Sequence, residues 1–201
     1  MEGSRFGQQM KFLLEIDALK SVVRQNYLSD GSRRENDVEH SWHLAMMVMV
    51  LEEHFEGLDV LKTIKMALIH DIVEIFAGDT FAYDEKGYED KDEREQLAAK
   101  KIFSILPEDQ EREYIELWKE FEAMESKEAI CASITDRIQP LTMNFGSEGK
   151  MWLNRGVTAE MARKRNKIVL DKAPRCIKEY VEDLIRAGSE KGFFAKEQEK
   201  R

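Results

Sequence analysis

The sequence predicts an all-α protein with a single compact helical domain. Apolar residues recur at steps of three and four along nearly the whole chain, which is the period of an amphipathic helix. Only 3 prolines and 11 glycines interrupt the 201 residues, and no clear β-hairpin signal accompanies them. Hydrophobic residues make up 42% and charged residues 35%, as in a globular protein, so we expect one domain over residues 1–201.

About six helices are expected from the apolar spacing. The second begins after Asn36, because an asparagine three residues before Glu39 fits a helix N-cap with a reciprocal carboxylate. The apolar run Leu44–Leu51 leaves this helix without a polar side, which predicts a central, covered helix. The chain after Gly192 ends in charged residues, so we expect residues 193–201 to fray. The predicted helices cover residues 5–27, 37–54, 59–72, 88–106, 108–145 (broken near Ser126) and 157–188.

The charge balance argues against binding to polyanions over the whole surface. The chain carries 40 acidic and 31 basic residues, a net charge of −9, whereas nucleic-acid affinity depends on neutralised phosphates. The basic run Arg163–Lys167 lies within a helical pattern, so we interpret it as a solvated helix face, and a local nucleic-acid patch is the alternative. We therefore expect no nucleic-acid partner.

Neither a membrane span nor a secretion signal is expected. No apolar run is long enough to cross a bilayer, and residues 1–6 lack the basic-then-apolar pattern of a signal peptide. Cys131 and Cys176 lie far apart in the sequence and are expected to be reduced thiols. The sequence thus predicts a cytoplasmic protein with no membrane partner.

Two histidines and two aspartates occupy apolar helical surroundings, where a polar group is costly without a partner. His40 falls in the first turn or so of the second helix, and His70 and Asp71 end the third. Asp136 follows in a later apolar run. Each has an ordinary interpretation as well, either a core histidine satisfied by hydrogen bonds or an aspartate paired with Arg137. Spacing alone does not establish a metal site.

The order of these residues resembles the H…HD…D motif of the HD-domain metal-dependent phosphohydrolases. Residues 33–41, RRENDVEHS, are similar to the segment before the first histidine in the subgroup that includes the bacterial 5′-deoxynucleotidases. Residues 70–79, HDIVEIFAGD, match that subgroup's H-D-x-x-E-x-x-x-G-D. The resemblance extends from Leu19 to Asp136 and implies a helical HD domain.

The resemblance further implies that His40, His70, Asp71 and Asp136 bind one divalent metal ion. Members of the family commonly accept manganese, cobalt, iron, zinc or nickel. Two imidazoles and two carboxylates suit such ions and leave positions for water and a phosphate oxygen.

Glu74 and Asp79 match a glutamate and an aspartate that the family uses in catalysis. The resemblance implies that Glu74 orients or deprotonates the attacking water. Asp79 then positions this water or assists the leaving oxygen. The residues alone, without the resemblance, favour an exposed helix carboxylate for Glu74 and an ordinary residue of the turn 78–80 for Asp79.

Two arginines are the expected phosphate ligands. Arg24 aligns with the family's phosphate-binding arginine, and Arg33 matches the arginine before the first metal ligand. A guanidinium can hold two phosphate oxygens at once, although either residue could instead form a surface ion pair. The bacterial deoxynucleotidases place a sugar-recognising tryptophan directly after the first arginine, whereas this chain has Gln25.

The leading functional hypothesis is a phosphomonoesterase that releases the 5′-phosphate of (deoxy)nucleoside monophosphates. The alternatives are an HD hydrolase acting on another small phosphate ester and a non-catalytic, metal-binding helical interaction module. The resemblance also implies a homodimer formed by helix packing. Its apolar interface could come from five aromatic residues that could equally belong to the core, namely Trp118, Phe121, Trp152, Phe193 and Phe194.

Overall fold

The computed structural model describes residues 3–197, and most of them are helical. The chain divides into two compact units. The first consists of the chain up to Val23 together with Asn36–Ala132, and the second consists of Arg24–Glu35 together with the chain from Ser133 onward. The all-α prediction is confirmed, and the single domain over residues 1–201 stays a prediction. Among residues 3–197, no helix is long and apolar enough to span a membrane.

The first unit is built from α-helices joined by short 3₁₀ helices. As predicted, Asn36 caps α2, because its side chain accepts from the Glu39 N–H at 3.0 Å and the Glu39 carboxylate accepts from the Asn36 N–H at 3.0 Å. The α-helices are α1 (Arg5–Glu15), α2 (Asp37–Leu51), α3 (Val60–Ile69), α4 (Glu74–Ala77), α5 (Lys91–Phe103), α6 (Glu108–Ala123) and the start of α7 (Lys127–Gly146); the 3₁₀ helices are Ile16–Ser21, Glu52–His54 and His70–Val73.

Helix α2 packs on one side only, so the prediction of a central helix is wrong. Leu44 and Val48 are fully buried and pack with residues of α3. On the other side, the exposed fractions of Trp42, Met49 and Val50 are 63%, 53% and 66%. The missing polar face therefore reflects an uncovered apolar surface, which composition alone could not distinguish from a core position.

The predicted helix over residues 5–27 gives way to a strand. Strand β1 (Val23–Tyr27) pairs with β2 (Arg34–Asn36) in a two-stranded sheet. The turn between them contains Asp30 and Gly31, where Gly31 has a φ of +69° and its N–H donates to the Leu28 carbonyl at 2.8 Å. An Asp-Gly pair is a hairpin signal that the helical periodicity around it obscured.

The second unit contains most of β1, β2 and α7 and four further helices. These are α8 (Lys150–Arg155), α9 (Ala159–Arg165), α10 (Lys167–Lys172) and α11 (Arg175–Glu190), where one helix over residues 157–188 was predicted. The chain breaks at Asn166, whose buried side-chain N–H₂ donates to the Ala162 carbonyl at 2.9 Å, and at Pro174, which has no N–H to give to a helix.

The end of the described chain is packed, so the predicted fraying is wrong for its first residues. Phe194 is 8% exposed and stacks on Trp152 with 4.2 Å between ring centroids. The Ala195 N–H donates to the Val157 carbonyl at 2.9 Å. Residues 198–201 of that prediction lie outside the described residues.

The aromatic residues considered for an interface are mostly core residues. Trp118 and Phe121 are buried in the first unit, and Trp152 and Phe194 are buried in the second. Phe193 is half-buried and lies edge-on to Phe145 at 5.5 Å between ring centroids.

Candidate metal centre and active site

Three of the four predicted metal ligands come together in the first unit. His40 lies in the first turn of α2, and His70 and Asp71 begin the 3₁₀ helix after α3. The His70 Nε2 lies 3.1 Å from one oxygen of Asp71, and the His40 Nε2 lies 3.8 Å from the other. The candidate ligand atoms all lie within 4.8 Å of one another, and the three residues are buried. Both imidazoles therefore face the same carboxylate.

The ring of His70 is oriented by its surroundings. Its Nδ1 lies 3.0 Å from the Ala67 carbonyl oxygen, one turn earlier in the chain. Because a carbonyl only accepts, the Nδ1 carries a proton, and the Nε2 is the nitrogen that faces Asp71. The ring also lies on Phe121, with 4.8 Å between ring centroids. A metal ligand at this position would use the Nε2, while the Nδ1 bond to Ala67 holds the ring in place.

This donor set fits a divalent ion of the borderline class. Two neutral imidazoles and a carboxylate are the ligands that manganese, iron, cobalt, nickel and zinc accept. The ordinary interpretation, a core histidine satisfied by a hydrogen bond, accounts for the Nδ1 of His70. It does not explain why two Nε2 atoms converge on one buried carboxylate.

A second group of carboxylates shares Asp71. The oxygens of Asp37, Asp71 and Glu74 lie within 4.8 Å of one another, and all three residues are buried. The interpretation of Glu74 as an exposed helix carboxylate is therefore wrong. Asp37 was missed by the sequence analysis, although its position three residues before His40 places both on one face of α2.

Asp79 follows α4 in a turn that depends on glycine. Gly78 has a φ of +78°, a conformation that other residues rarely adopt, and its N–H donates to the Glu74 carbonyl at 2.8 Å. Asp79 is half-buried and begins the connection from α4 to α5. The turn thus holds Asp79 close to the end of α4, the helix that begins at Glu74.

The remaining predicted site residues belong to the second unit. Asp136 is buried on α7 and forms an ion pair with Arg137, the partner that the ordinary interpretation named. Arg24 on β1 has a mostly buried side chain, whereas Arg33 is exposed and donates to the Arg34 carbonyl at 3.0 Å.

A buried carboxylate that the sequence analysis missed, Glu35, lies beside Arg24 in this unit and is held in turn by Gln139. The Arg24 Nε lies 4.0 Å from one oxygen of Glu35, and Gln139 donates to the other oxygen at 2.9 Å. Glu35 stands on β2 and Gln139 on α7, so a strand and a helix together support Arg24. The sequence analysis could not find this arrangement, because it depends on the pairing of β1 with β2 and on the distant α7.

The side chain of Gln25 accepts a hydrogen bond from a basic residue. The Arg155 guanidinium donates to the Gln25 side-chain oxygen, and both residues belong to the second unit. Gln25 occupies the position at which the bacterial deoxynucleotidases carry tryptophan. In this chain, that position therefore holds an amide bonded to an arginine.

Cys131 does not add a nucleophile. Both cysteines are reduced thiols, and burial raises the pKa of the Cys131 thiol to about 12. A thiol with this pKa is protonated at neutral pH and is a poor nucleophile.

Comparison with known proteins identifies the family. The HD domain family matches residues 16–177. This chain belongs to the HD domain family. A crystal structure described as a predicted metal-dependent phosphohydrolase, from Magnetospirillum magnetotacticum, is 44% identical, with a TM-score of 0.91 over 96% of this chain and 97% of that chain. The protein PH0347 of Pyrococcus horikoshii is 25% identical, with a TM-score of 0.61 over 90% of this chain and 99% of that chain.

This HD domain also resembles curated enzymes. The human 5′-deoxynucleotidase HDDC2 is 35% identical over 121 residues, which cover 60% of this chain and 58% of the human protein. The match therefore spans about three fifths of that relative's length. The predicted family is confirmed by these comparisons.

Proposed function

We propose that this HD domain is a metal-dependent phosphohydrolase that removes the 5′-phosphate of (deoxy)nucleoside monophosphates. The observation that carries the proposal is the buried convergence of His40, His70 and Asp71. The substrate class is supported by the name of the human relative, a 5′-deoxynucleotidase. The reaction class is supported by the description of the Magnetospirillum structure as a predicted metal-dependent phosphohydrolase.

The proposed ligands are His40, His70, Asp71 and Asp136, holding one ion of manganese, cobalt, iron, zinc or nickel. The proposal for Asp136 rests on its place in the H…HD…D order and on its burial in α7. A divalent ion held by these residues would lower the pKa of a coordinated water and draw charge from a phosphoryl oxygen.

Glu74 and Asp79 are the proposed catalytic residues. Glu74 is buried beside the proposed ligand Asp71, with their oxygens within 4.8 Å, and from this place it accepts the proton of the attacking water. Asp79 positions this water or delivers a proton to the leaving alkoxide. Glu74 begins α4 and Asp79 follows its end, so a single short segment carries the proposed proton chemistry.

Arg24 and Arg33 are the proposed phosphate-binding residues. The mostly buried side chain of Arg24, supported by Glu35, is suited to hold an anion in a fixed place. The exposed side chain of Arg33 supplies a weaker, solvent-screened attraction.

One observation favours a second candidate substrate. Because Arg155 donates to Gln25, this chain presents polar groups at the position where the bacterial deoxynucleotidases carry an indole ring. A polar surface there fits a ribonucleotide or another small phosphate ester as well as a deoxynucleotide.

A substrate panel tests the proposed function. Purified protein loaded with manganese or cobalt is expected to release phosphate from 5′-monophosphates of nucleosides and deoxynucleosides, and to lose this activity after chelation. Phosphate release is measured on matched ribose and deoxyribose pairs, with 3′-monophosphates and a sugar phosphate as controls. Protein that contains metal but releases phosphate from none of these esters is the non-catalytic metal-binding module.

We propose further that the protein is a cytoplasmic homodimer. The location is supported by the two reduced thiols. The dimer is supported by the uncovered face of α2, where Trp42, Met46, Met49 and Val50 share one side of the helix without a charged residue among them. Two copies that pair through this face would remove its apolar surface from water.

Replacing Trp42 by glutamate is expected to convert the dimer to a monomer, because a charge would be buried without a partner in the paired face. Light scattering after size-exclusion chromatography measures the mass. Leu97→Glu is the matched control. Leu97 lies on α5, is 64% exposed, and is not part of an exposed apolar face such as that of α2. A wild-type protein with the mass of one chain, or a Trp42→Glu variant that remains a dimer, contradicts the proposed interface.

A further inference from the structure

We propose that Arg94 is a positioning residue of the active site, which fixes Asp79 by tying together the two ends of the loop 78–90. The inference rests on the proposed function, in which Asp79 acts on the attacking water or the leaving oxygen. Arg94 lies in the first turns of α5 and is absent from the motifs that identify the family in this sequence.

Arg94 bonds to both ends of the loop at once. Its Nη1 donates at 2.7 Å to the carbonyl of Ala77, the last residue of α4. Its Nη2 donates at 3.0 Å to the carbonyl of Gly87, close to the start of α5. The same Nη2 donates at 3.2 Å to the hydroxyl of Thr80. Asp79 is therefore flanked on both sides by residues that Arg94 holds.

The geometry requires a guanidinium. Its donors lie in one plane at fixed angles, so one side chain can satisfy two carbonyls and a hydroxyl together, which an ammonium on a flexible stem cannot do in the same way. The plane is itself fixed, because the Arg94 Nε donates at 2.8 Å to the Asp90 carboxylate one turn earlier. The Arg94 side chain is 33% exposed, so solvent screens its bonds only partly.

Two further hydrogen bonds within the loop are local. The Asp84 N–H donates to the Phe81 carbonyl at 2.9 Å, and the Glu89 N–H donates to the Lys86 carbonyl at 3.1 Å. Such turns shape short segments but do not connect the end of α4 to the start of α5. Arg94 therefore adds a link between the end of α4 and residue 87 that these local turns do not supply.

Replacing Arg94 by methionine or by lysine tests the inference through kinetics. Because a displacement of about 1 Å in a catalytic group can cost about 100-fold in rate, kcat is expected to fall about 10- to 100-fold for either variant. KM is expected to change less than about threefold, since Arg94 does not touch the phosphate in the proposed site. Metal content, measured by elemental analysis, stays at the wild-type level.

A double variant separates positioning from general loss of stability. If Arg94 acts through Asp79, adding Arg94→Met to Asp79→Asn causes no further loss of kcat. A purely structural role would lower the activity of the Asp79→Asn variant by the same factor as that of the wild type. Arg112→Met is the matched control, because Arg112 also pairs with an acid four residues earlier, Glu108, on an exposed helix surface.

Limited proteolysis provides a measurement that does not depend on activity. Chymotrypsin is expected to cleave the metal-free Arg94 variants after Phe81, Tyr83 or Tyr88 at least several times faster than the wild type, with the cleavage sites read by mass spectrometry. Unchanged cleavage in both variants overturns the link between the loop ends. Faster cleavage with an unchanged kcat overturns the positioning role. A wild-type protein that hydrolyses no ester, or a fully active Asp79→Asn variant, counts against the proposed function instead.

Discussion

Glu74→Gln is expected to lower kcat about 100- to 10,000-fold, the usual contribution of a positioned general base. Glutamine keeps the size of the side chain but cannot accept the proton of the attacking water. Metal content should stay at the wild-type level, because Glu74 is proposed as a base and not as a ligand. Elemental analysis of the purified variant, alongside phosphate release, checks both statements.

The same substitution should stabilise the metal-free protein. Glu74 lies within 4.8 Å of the carboxylate oxygens of Asp37 and Asp71, so neutralising it relieves repulsion between buried like charges. We expect the thermal midpoint of the metal-free variant to lie above that of the metal-free wild type. Glu95→Gln is the control: Glu95 is also buried but pairs with Lys91 at 2.7 Å, so its loss should lower stability and leave turnover intact. If Glu74→Gln loses its metal, Glu74 is a ligand and our role for it is wrong.

Asp71→Asn is expected to abolish metal binding and turnover together. Asp71 faces both His40 and His70, so the substitution removes the negative charge on which the two imidazoles converge. Losing a hydrogen bond behind a metal ligand already costs about 10- to 100-fold in affinity, so losing the ligand charge should cost about 100-fold or more.

Thermal unfolding with and without metal measures this effect independently of activity. Metal at 100 times its dissociation constant adds about 2.7 kcal/mol to the stability of the wild type, and the variant should gain almost none of it at the same concentration. Asp59→Asn is the control, because Asp59 caps α3 through a bond to the Lys62 N–H at 3.0 Å and asparagine caps helices equally well. A variant that retains the full metal-dependent increase would show that the ion binds elsewhere.

The helical class and the cluster of His40, His70 and Asp71 could be predicted from the sequence because their signals are local or follow a family motif. Apolar steps of three and four define helices without reference to the rest of the chain, and the cap at Asn36 depends only on Glu39. His40, His70 and Asp71 were found because their order matches a family motif, and the structure places their ligand atoms within 4.8 Å of one another. The metal, catalytic and phosphate-binding roles of all the site residues, Asp136, Arg24 and Arg33 included, stay predictions.

The errors share a physical cause, which is competition between local patterns and tertiary packing. Residues 23–27 have helical spacing but form a strand, because Asp30 and Gly31 turn the chain and β2 offers a partner. The end of the chain is charged, yet Phe194 finds a stacking partner in Trp152. A side chain's own sequence neighbourhood does not contain this information.

The sequence by itself determined that this protein is helical and which residue types its site contains. Only the tertiary structure decided which groups support that site. Asp37 joins Asp71 and Glu74, Gln139 holds the Glu35 that lies beside Arg24, and Arg94 spans a loop of the chain. Metal ligands must have particular chemistries, so they leave a recognisable order in the sequence. Supporting residues need only lie within hydrogen-bonding distance of the site. Which residues do so is decided by how distant segments of the chain pack.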